Sequence, residues 1–193
     1  TQAAAVALAV TIGVCGWPSA RACGYHDPSG YQVGMLNWAY PDALHVRTAV
    51  WMAQRDGLLD PAPSLPAVDP MSPQSRLRQM TQLRETQARL DAVHVALDAA
   101  AVGRPLPAFA VVLIGPMLWT RFETVDDGVR MASHIQGPAP DDVVLVTDAP
   151  VLASLVEGRI TLQSARDHGL ARLYGSPGAV ERVWAMLDHA TQK

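Results

Sequence analysis

The chain has 193 residues, 49% of them hydrophobic and 17% charged, with a formal net charge of −3. This lightly charged, slightly acidic balance lacks the basic footprint of a nucleic-acid binder and argues against nucleic acid as a partner. Fifteen Pro and fourteen Gly punctuate strongly apolar segments, so the composition is that of a globular protein with many turns.

Ala3 to Cys15 is almost unbroken apolar sequence, and Pro18 ends the run. Ala20-Arg21-Ala22 then places small residues at both positions that a signal peptidase reads. The run falls short of the ~18 residues that span a bilayer. Residues 1–22 therefore read as a secretory signal entered part-way, and the expected destination is the periplasm or cell envelope. Cleavage after Ala22 leaves Cys23 as the first residue and the only cysteine. Ala22 and Cys23 fit a bacterial lipobox while Ala20 and Arg21 depart from it. A lipid on Cys23, a free thiol, an intermolecular disulfide and, with the signal retained, a Cys15–Cys23 bridge all stay open.

Residues 23–59 read as a small helical N-terminal module. Cys23, His26 and Asp27 lie close in sequence, with His45 on the helix that follows. Thiolate plus imidazole suits zinc or copper, but the second cysteine pair of a firm zinc site is missing, and so is C-x-x-C-H. The balance is toward no cofactor, with Cys23, His26 and His45 as the candidate metal ligands if there is one. A helix is expected from about Asp42 to Asp56, closed by Gly57. Leu44, Val46, Val50, Trp51 and Met52 put apolar groups on more than one side of it, which calls for burial by the domain or by a partner. Trp38 and Trp51 flank this helix and make it a candidate docking surface for an envelope or membrane-protein complex.

Residues 60–73 carry Pro61, Pro63, Pro66, Pro70 and Pro73 and read as an extended linker. The larger part, 74–190, opens on Ser72-Pro73 as cap and first helical position. Leu77, Met80, Leu83, Leu90, Val93 and Leu97 recur at helical spacing to about Val102. Strand patterns follow at 109–114, 117–125, 129–135 and 143–146, with Asp126-Asp127-Gly128 as a hairpin signal. The period then lengthens. Asp148 and Thr161 cap two short helices closed by Gly158 and Gly169, residues 170–174 form a strand, and Ser176-Pro177 starts a last helix with Val180, Val183, Trp184 and Leu187 in one stripe. Gly-x-Ser-x-Gly and the phosphate-loop pattern are both absent, and the paired acids Asp126-Asp127 and Asp141-Asp142 sit at turns. Nothing here reads as catalytic.

Leu155, Gly158, Ile160, Ala165, Gly169, Leu170 and Gly175 follow the spacing of the sterol carrier protein 2 (SCP2)-like fold, and residues 109–190 resemble that family. The resemblance implies an α+β domain, an antiparallel sheet with helices on one face, holding an apolar small molecule or lipid in a sheet–helix cleft. By the same resemblance, Val112, Ile114, Trp119 and Phe122 would line the cleft from the strands, and Leu152, Leu155, Val183, Trp184 and Leu187 from the helices. A solid core at these positions is the plainer alternative. The expected function is an exported, non-catalytic binding protein. An accessory docking subunit and a metal or redox protein are the other readings.

Overall fold

The computed structural model describes residues 30–61, 72–104 and 106–191. The expected signal, Cys23 and His26 lie outside these residues, as does most of the proline-rich stretch.

Two helices come first, α1 (Gly30–Ala39) and α2 (Ala43–Arg55). The sequence pattern gave no sign of α1. In α2, Asp42 takes a left-handed conformation and offers no side-chain cap. The Leu44 N–H instead donates to Asn37 Oδ1 at 3.2 Å, so α1 supplies the cap for its neighbour. The long helix α3 (Pro73–Ala100) starts as the sequence predicts: the Ser72 hydroxyl accepts from the Ser75 N–H at 3.2 Å, and Pro73 stands at the first position. With 28 residues it extends about 42 Å.

The strands β1 (Phe109–Leu113), β2 (Leu118–Val125) and β3 (Gly128–Ile135) form an antiparallel meander. The β2–β3 turn is latched by α3: Asp98 Oδ1 accepts from the Val129 N–H at 2.9 Å. Gly128 has φ +137, and a Cβ there would stand 2.2 Å from that oxygen, so only glycine fits the latch. β4 (Val143–Thr147) joins β1 on its other side, followed by α4 (Ala149–Val156), α5 (Leu162–Asp167), β5 (Arg172–Tyr174) and α6 (Pro177–Thr191). The strand order is β3-β2-β1-β4-β5. β5 starts later than expected because Leu170 still serves the helix end, its N–H donating to the Ala165 carbonyl at 2.8 Å.

The α+β class holds, with two corrections of detail. The sheet is mixed, because β1 and β4 pair in parallel. β3 already runs parallel to β1, and residues 136–142 cross over to the far side of β1 instead of turning back. Asp142 pins this crossover. It accepts from the Ala139 N–H at 2.8 Å and from Arg121 at 2.8 and 3.2 Å.

Second, helices cover both faces of the sheet. One face carries Phe109, Phe122 and their register partners, and α3 lies over it: His94 meets the Phe122 ring at 6.4 Å and bonds the Val129 carbonyl. α6 packs against α3 and β4. The opposite face carries Val112, Trp119, Val144 and Val146. There Tyr40 stands 6.2 Å from Trp119 and 5.3 Å from Tyr174, whose hydroxyl donates to the Pro41 carbonyl at 2.7 Å. The cause lies in β1 and β4, which are buried at every position and apolar at all but Thr147, and so need cover on each side. Leu36, Val46, Val50 and Leu59 thus belong to the same apolar cluster as the strands.

Asp148 joins β4 to α4. It accepts from the Gly115 N–H at 3.0 Å and the Ala149 N–H at 2.7 Å, and burial raises its pKa above the usual carboxylate range. The native state then holds this proton more tightly than the unfolded chain does. Its contribution to stability is greatest below the unfolded pKa and declines as pH rises through the raised native value. Asp148→Asn keeps an acceptor for both N–H groups without a charge. Chemical denaturation at pH 4 and pH 8 should show the Asp148→Asn variant gaining on the wild type as pH rises, with Asp148→Ala about 1–2 kcal/mol less stable than Asp148→Asn at both.

Candidate functional site

The nine residues expected to line one cleft are divided by the sheet. Phe122 faces α3 and stacks on Phe109 at 5.0 Å. Val112 and Trp119 are register partners on the opposite face, beside Tyr40. Val112, Ile114, Phe122 and Val183 are fully buried, Leu152, Trp184 and Leu187 nearly so, and Trp119 and Leu155 partly. Strand residues on opposite faces of the sheet cannot wall a single cleft. Strand alternation puts Val112 and Trp119 out of reach of α3.

Surface clefts lie elsewhere. One, of about 400 Å³, runs along Gln74, Leu77, Arg78, Thr81 and Gln82 on the first turns of α3. Another, of about 180 Å³, lies between α5 and α6, where the Arg166 guanidinium sits 5.4 Å from the centre of the Trp184 ring.

The unusual chemistry is under α3. Met80, Leu83, Gln87, Leu90, His94 and Leu97 follow one another at spacings of three and four, a single line down the helix. Leu90 and Leu97 are buried in the core, whereas Leu83 is 38% and Met80 53% exposed. The stripe that seats α3 therefore continues past its seat. Between the buried and uncovered parts stands Gln87, whose Oε1 is buried without a donor. On the face of the sheet that carries Phe122, Thr120 and Ser133 are register partners, and both hydroxyls are buried without partners. Ser154 Oγ, in the α4 that packs on α3, is a fourth such atom.

Neighbouring threonines show that this is not the rule for the face. Thr124 Oγ1 pairs with both the N–H and the carbonyl of Leu106, and the Thr147 hydroxyl donates to the Leu170 carbonyl at 2.9 Å. Thr120, 1% exposed, pairs with nothing. A buried polar group left unpaired costs about 1–3 kcal/mol. A β-bulge sits beside this pair: Thr120 faces Ser133 while Trp119 faces Ile135, so His134 is the extra residue, at φ 58. Bulges gather next to functional sites, where they re-aim side chains.

None of Gln87, Thr120 and Ser133 was singled out from sequence. A signal for Thr120 was present, because it lies two residues before Phe122 and so shares its inward face. Ser133 and Gln87 need the register and the helix placement, which one sequence does not provide.

His45 is an exposed side chain 3.5 Å from Asp42. Among the described residues no three His, Cys, Asp or Glu side chains gather into a metal site, and no helix is long and apolar enough to cross a membrane.

No protein-family profile matches the chain, and no curated protein does. Solved structures give partial likenesses. The inverting sec-alkylsulfatase Pisa1 from a Pseudomonas species matches with 18% identity and a TM-score of 0.37 over 47% of this chain, and the chain covers only 14% of that enzyme. A UbiJ-SCP2 ubiquinone synthesis protein matches with 17% identity and a TM-score of 0.37, over 59% of this chain and 93% of that one. A conserved hypothetical protein from Thermus thermophilus, described with a query as a sterol carrier protein, matches with 20% identity and a TM-score of 0.36, over 55% and 80%. At these scores none of the three carries weight for the function of this chain.

Thr120→Val removes the unpaired hydroxyl at nearly constant volume. It should leave stability unchanged or raise it by about 1 kcal/mol in urea unfolding, whereas Thr147→Val should lower it by a similar amount.

Proposed function

We propose that this chain is an exported, non-catalytic binding protein for an apolar small molecule or lipid, taken up between α3 and the sheet. The observation that carries the reading is the line of α3 residues that leaves the core: buried Leu90 and Leu97, then the uncovered Leu83 and Met80. An apolar guest laid along the last two would bury surface worth roughly 25 cal/mol per Å². The resemblance of residues 109–190 to the SCP2-like family agrees with this role. The predicted signal in residues 1–22 supports export.

A second reading has its own observation. Met35, Trp38, Trp51 and Met52 on α1 and α2 are 50%, 85%, 59% and 45% exposed, on helices that are otherwise anchored in the core. Large exposed apolar side chains of this kind suit docking on an envelope or membrane complex.

Nile red, a neutral apolar dye, tests the first reading by fluorescence titration of the purified chain. The wild type should bind it at micromolar concentration. Leu83→Glu should weaken binding at least about fivefold, the scale of a buried apolar side chain made charged. Its melting temperature should stay near that of the wild type, since Leu83 is 38% exposed. Unchanged dye affinity in Leu83→Glu sinks the α3 site. Loss of dye binding in Trp38→Ser with Leu83→Glu unaffected transfers the function to the N-terminal helices.

A further inference from the structure

We propose that α1 and α2 seat this chain on the surface of a lipid bilayer, with Trp38 and Trp51 at headgroup level. The inference rests on the exposed face of the docking reading and names lipid, instead of a protein, as what covers it.

Helical spacing sorts each helix into an inner and an outer line. Leu36 of α1 and Ala43, Val46, Val50 and Ala53 of α2 are buried in the core shared with the sheet. Trp38, two residues on from Leu36, stands about 200° around α1 from it. Thr48, Trp51, Met52 and Arg55 follow one another at spacings of three and four on α2, and all are exposed. Both helices cover the same face of the sheet, so both outer lines turn away from it.

The chemistry of these lines selects lipid. α1 carries no charged residue, and its outer side presents Met35, Trp38 and Ala39. The Arg and acidic side chains of residues 30–55 are Asp42, Arg47 and Arg55, in a chain of net charge −3. Asp42 lies at the turn between the helices, 3.5 Å from His45 and 3.7 Å from Arg172. The Arg55 guanidinium sits 5.3 Å from the centre of the Trp51 ring and pairs with Asp56 at 2.9 Å. An indole with a guanidinium beside it suits a bilayer interface, where the ring lies in the boundary and the cation reaches the headgroups. A protein partner anchors its side chains in pockets, and both surface clefts described above lie on other helices. A fluid bilayer needs no pocket. With 10 and 13 residues, α1 and α2 are too short to span a membrane and would lie along it. The chain upstream points the same way. Ala3 to Cys15 is apolar, and residues 16–29 reach at most about 50 Å, so that run inserted in a membrane, or a lipid on Cys23, keeps α1 beside the same surface.

The test is tryptophan fluorescence of the full chain on phosphatidylcholine vesicles whose acyl chains carry bromine, a contact quencher of indoles. Quenching reads the position of the indoles even where residues upstream also hold the chain on the vesicle. Brominated vesicles should quench the wild type relative to unbrominated ones. Trp38→Phe combined with Trp51→Phe should lose at least about half of that quenching. Both side chains are exposed, so the double variant should melt like the wild type. Equal quenching in the wild type and the double variant overturns the seat. A wild type that is not quenched also overturns it and leaves a protein partner as the cover of this face. Neither indole belongs to α3, so the guest reading stands or falls on its own dye titration.

Discussion

Everything in this molecule follows from two central strands that are apolar on both sides. Phe109–Leu113 and Val143–Thr147 pair in parallel, and all ten of their residues are buried. Burying a Val, Leu or Phe side chain contributes roughly 1.5–3 kcal/mol. Such strands cannot present one face to water without losing half of that. The fold answers with α3 and α6 on one side and α1–α2 on the other. The requirement also explains why the N-terminal helices share the main core. Val46 and Val50 face inward, and Tyr40 bridges Trp119 and Tyr174.

The parallel pair sets a second constraint. To place β4 beside β1 in the same direction, residues 136–142 must cross the sheet, and a crossover this short has few backbone bonds of its own. Arg121 and Asp142 hold it. The Asp142 side chain is 2% exposed and takes two guanidinium bonds and one backbone N–H, so its charge is buried but fully paired. Arg121 also reaches Glu123, which in turn pairs with Arg130, and the network spreads along the outer strands. Asp142 adds to the burial that raises the Tyr40 pKa, so this network and the aromatic bridge feel each other.

Local chemistry was readable from sequence wherever it was local. Ser72, Asp148 and Thr161 cap the helices expected of them, and Asp126-Asp127-Gly128 turns β2 into β3. What one sequence could not show was which strands meet at long range. The parallel β1–β4 pair, the second covered face and the division of the cleft residues all depend on that one choice. Val112 and Phe122 are equally apolar, and only the register reveals that they face opposite ways. The α3 pattern had a similar ambiguity. Leu77, Met80 and Leu83 keep a helical spacing like that of Leu90 and Leu97, yet the sheet ends before the helix does. Periodicity reports an apolar face and is silent on whether anything covers it.

The unpaired hydroxyls of Thr120 and Ser133 mark where the fold departs from its own pattern. Thr124 and Thr147 show that this face of the sheet satisfies inward hydroxyls when they serve only the fold. Replacing Thr120 by valine and Ser133 by alanine would remove the orphaned hydroxyls with little or no loss of packing. A helix half seated on apolar contacts and a bulge beside an unpaired hydroxyl pair are departures from that pattern. Each alone lowers stability, and proteins keep such features where a binding partner offsets the loss.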